Sequence, residues 1–308
     1  MHRRPMHVLV VFALVAAAAL APATAASASS PYLYNSTVPL ASVGNLPSEG
    51  FEAYALDELG NQITLDHAGS VGLVLVTMSS WACESGTWYA HDCQSTPGHK
   101  FTWPITFSIY NAATGTPPVA GSLIAKSTKA FAMPYRPSAN NTLCTGDNAG
   151  KWWDSALKKC FNGKVTNITF DFAGVSLPKN VVYGITYNTT HYGYSPIGQG
   201  AACFSTPQGC FYDSLNIALT QDPKDVTAGS DPGPTGTVFV QATQAYGYCD
   251  AGLAGFGVFR EDSPSSGCWS LGLPGTSPYY IPAVQLRAGG CDQNVSGSSG
   301  QDGDCQVE

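Results

Sequence analysis

Between Phe51 and Arg287 the apolar positions fall into short runs, either alternating with polar residues or continuous. Phe101 to Tyr110 shows the alternation best. Trp103, Ile105, Phe107 and Ile109 lie on one side, and Thr102, Thr106 and Ser108 on the other. That period of two predicts a half-buried strand. Val71 to Met78 is almost wholly apolar and rich in β-branched residues, as a central strand requires. Phe51 to Leu56 and Gln62 to Leu65 read as two strands joined by a turn at Leu59-Gly60-Asn61. Further strands are expected at Leu123 to Met133, Val165 to Phe172, Val181 to Tyr187, Leu215 to Leu219, Thr237 to Gln241 and Ile281 to Leu286. Only Lys151 to Lys159, through Trp153, Ala156 and Leu157, allows a turn or two of helix.

Many short strands separated by Gly, Pro and Asn loops predict an all-β sandwich. A jelly roll suits the long strands and uneven connections best, with an up-and-down barrel as the rival. No segment of 20–50 residues repeats, which argues against propellers and solenoids.

The two ends of the chain read differently. Arg3 and Arg4, the apolar run Val8 to Ala21, and the small residues Ala23-Thr24-Ala25 and Ala26-Ser27-Ala28 have the anatomy of a secretory signal peptide. The apolar run is shorter than the ~20 residues that span a bilayer. Residues 1–28 are therefore expected to be a signal peptide and 29–288 the β-sandwich domain. An acidic Gly/Ser-rich tail over 289–308 follows, with little to bury. The expected location is extracellular, with no membrane span after removal of the signal.

Composition narrows the function classes. Charged residues are only 11% of the chain, while 33 glycines and 21 prolines supply turns. A net charge of −7 without a basic patch argues against a nucleic-acid partner. Ten cysteines in an exported chain predict disulfides. Their order suggests local pairs: Cys83 with Cys93, Cys144 with Cys160, Cys203 with Cys210, Cys249 with Cys268, and Cys291 with Cys305. Spacing alone leaves the connectivity open.

Catalytic signatures are sparse. The chain has no G-x-S-x-G, no H-E-x-x-H, no C-x-x-C and no phosphate-binding glycine loop, so neither metal nor cofactor is expected. His91, Asp92 and His99 share one loop, which reads as a polar loop ahead of a metal site. Asp292, Asn294, Ser296 and Gly297 echo half of a calcium loop without its closing acid, and read as acidic tail. A glycoside hydrolase or lyase needs two facing carboxylates. Glu52 with Asp171 or Asp213 is the candidate pair. The cluster Glu49, Glu52, Asp57, Glu58 reads first as a solvated edge strand.

Binding has better candidates. Trp88 and Tyr89 lie in the Cys83–Cys93 loop, Trp152 and Trp153 in the Cys144–Cys160 loop, and Tyr192 and Tyr194 just after a strand. Flat aromatic faces in braced loops suit sugar rings. The stretches Gly50-Phe51-Glu52-Ala53, Glu58-Leu59-Gly60-Asn61-Gln62-Ile63, Met133-Pro134-Tyr135-Arg136-Pro137-Ser138 and Val182-Tyr183-Gly184-Ile185-Thr186-Tyr187-Asn188-Thr189 resemble those of exported β-sandwich proteins from bacteria with GC-rich genomes. That group has no assigned activity. The resemblance implies the fold and the compartment and carries over no catalytic residue. The expectation is an extracellular binding or surface-associated module with carbohydrate as ligand. A jelly-roll glycosidase or lyase, and an adhesive exoprotein without a small ligand, are the alternatives.

Overall fold

The structure is a computed structural model, and it describes residues 31–50, 56–86, 90–113, 120–187, 215–231, 237–241, 260–261 and 279–289. The strands in these stretches are β1 (Tyr32–Asn35), β2 (Ser48–Glu49), β3 (Leu56–Thr64), β4 (Gly69–Ser80) and β5 (Lys100–Ala112). Next come β6 (Ala120–Pro134), β7 (Trp152–Asp154), β8 (Lys159–Phe161), β9 (Lys164–Leu177) and β10 (Asn180–Thr186). The chain continues with β11 (Leu215–Asp222), β12 (Thr237–Gln241), β13 (Arg260–Glu261), β14 (Tyr279–Pro282) and β15 (Val284–Ala288). Among the described residues the only helical turns are short 3₁₀ pieces at Leu40–Ser42 and Gly146–Asn148.

Two antiparallel sheets pack face to face. The six-stranded sheet runs β13-β12-β3-β10-β5-β6. The seven-stranded sheet is built on β4, which pairs along one edge with β9 and along the other with β15 and then β11. In this central strand Val71, Val74, Val76 and Met78 are fully buried, while Leu73 and Leu75 of the other face are half-buried. The alternation in β5 holds for Ile105, Phe107 and Ile109, which are fully buried, while Trp103 is half-buried and Ser108 on the other side is buried as well. Phe107 stacks on Tyr183 of its own sheet (5.5 Å) and meets Phe170 (5.7 Å) and Phe172 (6.0 Å) of the other. Aromatic contacts of this kind add roughly 0.5–1.5 kcal/mol each beyond area burial.

A polar tie also crosses between the sheets, where the Tyr187 hydroxyl, just past β10, donates to the Leu215 carbonyl of β11 (2.9 Å). Asn61 Nδ2 of β3 donates to the Asp231 carboxylate, next to the Ser230 that bridges to Thr64 of the same strand. Burial pushes the Tyr183 and Tyr34 phenols well above their ordinary range, so both stay neutral donors.

Three expectations are corrected. Leu59-Gly60-Asn61 is not a turn, because β3 runs straight through it with β10 on one side and β12 on the other. Gly60 is there because a Cβ would collide with the Tyr183 carbonyl of β10. The acidic cluster is not a solvated edge: Glu49 is fully buried, and Glu58 is half-buried on an interior strand. Lys151 to Lys159 holds no helix but the hairpin β7–β8. Asp154 Oδ1 accepts the Ala156 and Leu157 amides (2.9 and 3.0 Å), Lys158 turns the chain back with φ 53°, and pairing of Trp152 with Phe161 continues it as a hairpin, leaving too few residues for a helix to nucleate. The run Ile281 to Leu286 divides at Ala283, where the chain passes from β11 to β4 as its partner.

Candidate functional site

Two places deserve description as sites: a disulfide-braced lobe at one end of the sandwich and the outer face of the six-stranded sheet. The described part of the lobe is formed by residues 81–86, 90–99 and 135–163, which lie between β4 and β5 and between β6 and β9. Cys83–Cys93 and Cys144–Cys160 are bonded, with Cα atoms 5.5 and 5.8 Å apart. The two loops are stitched to each other. The Ser95 amide donates to Ser138 Oγ (2.9 Å), the Ala139 amide to the Cys93 carbonyl (2.9 Å), and Asn141 Nδ2 to the His91 carbonyl (2.9 Å). Arg136, fully buried, donates through Nη2 to the Gly150 carbonyl (2.5 Å) and through Nε to the Pro137 carbonyl (3.4 Å). Burial lowers its guanidinium to about 10.

The aromatic candidates separate here. Trp152 is only 4% exposed. Its Nε1 donates to the Gly163 carbonyl (2.8 Å), its ring lies 5.5 Å from Phe161, and Lys164 Nζ sits 5.0 Å over it. That indole holds the hairpin down and presents little ring to a ligand. Trp153, its neighbour on the opposite side of the strand, is half-buried. Trp88, Tyr89, Tyr192 and Tyr194 lie outside the described residues, as do Cys203, Cys210, Cys249, Cys268, Cys291 and Cys305.

His91, Asp92 and His99 do not form a ligand set. Among the described residues no three His, Cys, Asp or Glu side chains gather as a metal site. His99 Nδ1 is 2.6 Å from Glu84 Oε1. The Thr96 amide and then His99 hold the Glu84 carboxyl below its ordinary value. The calcium-like stretch Asp292 to Gly297 is outside the described residues.

The outer face of the six-stranded sheet is assembled by strand parity. Leu59, Asn61 and Ile63 of β3 point into the core, so Glu58, Gly60 and Gln62 point away from it. Tyr183 and Ile185 of β10 point inward, which turns Val182, Gly184 and Thr186 outward. Phe107 and Ile109 of β5 do the same for Thr106, Ser108 and Tyr110. The register sets Glu58 opposite Thr186, Gly60 opposite Gly184, and Tyr110 opposite Val182.

Across this face Glu58 reaches over Gly184 to Tyr110. The Tyr110 hydroxyl donates to Glu58 Oε1 at 3.0 Å and lies 3.3 Å from Oε2. Two buried glycines lie side by side beneath the pair, and a Cβ at position 184 would fall on the Glu58 carboxylate itself. Burial pushes the Glu58 carboxyl up to about 7, the Tyr110 hydrogen bond offsets part of that, and the charge of Asp57 adds to it. Burial also pushes the Tyr110 phenol up to about 12. Around this pair the face offers hydroxyls: Thr106 and Thr128 share a hydrogen bond of 2.7 Å.

Of the proposed carboxylate pair, Glu52 and Asp213 are outside the described residues, and Asp171 is exposed on β9 of the other sheet. Asp57 is exposed and sits at a bulge, where the β3–β12 register passes from Glu58 to Leu56. The alternation in β5 marked Thr106 and Ser108 as a polar face, but nothing local announced Tyr110 as the partner of Glu58, 52 residues away. No family model matches this chain, and neither the curated proteins nor the solved structures hold a match to it.

Proposed function

We propose that this chain is a secreted binding module that takes carbohydrate on the outer face of its six-stranded sheet. The observation that carries the reading is the Glu58–Tyr110 pair lying over the glycine floor of Gly60 and Gly184. The Glu58 carboxyl, the Tyr110 phenol and the Thr106 and Thr128 hydroxyls match sugar hydroxyls as donors and acceptors, and the register adds Lys126 to the same face opposite Ser108. A hydroxyl-rich partner, a free glycan or a glycan of a cell surface, fits these groups.

Secretion rests on the leader-like first residues and on two disulfides, which persist in oxidising compartments. The jelly-roll assignment and the likeness to exported β-sandwich proteins belong to this proposal too. The jelly-roll assignment draws support from a chain that passes repeatedly between the sheets, as β3, β4, β5 and β9, β10, β11 do.

A glycosidase or lyase is the second reading, favoured by Glu58 alone. A carboxyl at about 7 has the protonation a general acid needs. The reaction also needs a second carboxylate roughly 5–9 Å away. Asp57, the carboxylate that bears on Glu58, is its neighbour in the chain at a bulge of β3, and no facing partner across a cleft is seen among the described residues.

The test is titration of the protein with neutral oligosaccharides, with Tyr110→Phe and Thr106→Val alongside and reducing ends assayed in each mixture. Binding weakened in both variants without release supports the module. Release abolished by Glu58→Gln makes it an enzyme. Absence of binding and release leaves an adhesive exoprotein.

A further inference from the structure

The outer face does not end at Tyr110. Gln62 lies on the same side of β3 as Glu58, four residues or about 13 Å further along. There the surface drops into an open depression of about 340 Å³, lined by Gln62, Asn111, Pro178, Lys179 and Asn180 among others. That volume is at the lower end of the ~300–1,000 Å³ range of small-molecule sites. Pro178 and Lys179 form the whole connection between β9 and β10. The Lys179 carbonyl, accepting the Leu65 amide at 2.7 Å, holds this connection against the end of β3.

The polar groups in the depression are unequally committed. Asn180 Oδ1 already accepts from Thr64 Oγ1 (2.8 Å), and Asn111 Nδ2 already donates to Ser122 Oγ (2.8 Å). The Gln62 carboxamide oxygen has no donor. Lys179 is the only charged residue of the lining. It is exposed, and among the described residues no acid lies within ion-pair distance of it. An anion held in the depression would supply that partner.

We infer that this depression binds the acidic group of an anionic saccharide, a carboxylate or sulfate ester, with Lys179 as its ion-pair partner. The inference rests on the outer-face reading and extends it to the charge of the ligand.

The test is calorimetric titration of the protein with an oligo-uronate, its neutral methyl ester and a sulfated oligosaccharide of equal length, at low and high salt. Lys179→Gln, Lys179→Arg, Tyr110→Phe and a distant control, Lys159→Gln, are measured beside the wild type. The expected result is roughly three- to tenfold tighter binding of an acidic ligand than of the ester, as one partly exposed ion pair allows. Lys179→Gln and high salt should erase that preference, while Lys179→Arg and Lys159→Gln keep it. Preference for the uronate or for the sulfated oligomer tells which ester or acid is the ligand.

Equal binding of acid and ester, unmoved by Lys179→Gln, overturns the inference and leaves the outer-face reading intact. An acid preference that depends on Lys179 but ignores Tyr110→Phe keeps the depression and overturns the outer face. Absence of binding by all three ligands overturns both.

Discussion

The Glu58 carboxylate of β3 occupies the space that a side chain on Gly184 of β10 would need. Glycine at 184 is thus a condition for the Glu58–Tyr110 hydrogen bond as well as for a flat floor. Gly184→Ala is expected to push Glu58 off Tyr110 and to destabilise the fold by about 1–3 kcal/mol, the usual cost of an overpacked site. Urea unfolding gives the stability change, and the carboxyl titration of Glu58 followed by NMR gives the second readout. An unchanged titration in Gly184→Ala would mean that the carboxylate does not depend on the glycine floor.

The raised Glu58 carboxyl makes a prediction with a definite sign. Its folded-state value of about 7 lies above the ordinary 4.5, so between these pH values the folded protein holds a proton that the unfolded chain releases. This contribution is complete below about pH 4.5 and is lost as pH rises to about 7, beyond which it stays lost. The magnitude is on the order of 2 kcal/mol or less for a half-buried group. Urea melts at pH 4.5, 6 and 8 should show wild type losing stability relative to Glu58→Gln across that interval. Parallel pH profiles for the two proteins would contradict the assignment.

What could be read from the sequence was the part set by local pattern. Continuous β-branched runs marked β4, alternation marked β5, and local cysteine order marked both bonded pairs. What could not be read depends on neighbours distant in the chain. Gly60 between two apolar runs looks the same whether the chain turns there or another backbone comes close. Trp153, Ala156 and Leu157 have helical spacing, yet the chain reverses at Lys158 and Trp152 finds its partner in Phe161, a pairing the spacing does not announce. The alternation assigns Tyr110 to a face of its strand but says nothing of which strand lies beside it. The pairing of Tyr110 with Glu58 is therefore a property of the sheet order, with β10 placed between β3 and β5.

Adjacent tryptophans on β7 should respond differently to truncation. Trp152, buried with its indole N–H on the Gly163 carbonyl, is expected to cost about 3–5 kcal/mol as Trp152→Ala. Trp153, half-buried, should cost less as Trp153→Ala and leave the thermal midpoint near wild type. If the lobe contributes to glycan binding through an indole, Trp153→Ala should weaken affinity without unfolding the protein. Chemical denaturation paired with glycan titration separates the two effects. A stable Trp152→Ala would show that the hairpin is anchored by Phe161 against Gly44 alone, where the ring leaves no room for a side chain.

Cys144–Cys160 closes a sequence separation of 16 residues and Cys83–Cys93 one of 10. Loop-closure entropy assigns each about 3 kcal/mol, slightly more to the longer loop. Because the two loops share hydrogen bonds at Ser95–Ser138 and Cys93–Ala139, opening one should also loosen the other. The double-serine variants of either pair are then each expected to lose roughly 3 kcal/mol, and the quadruple variant less than the sum. That shortfall follows because the first opening already frees part of what the second bond restrains. Unfolding of the three variants under identical conditions measures it. Strict additivity would mean that the loops act independently and that the hydrogen bonds between them hold nothing in place.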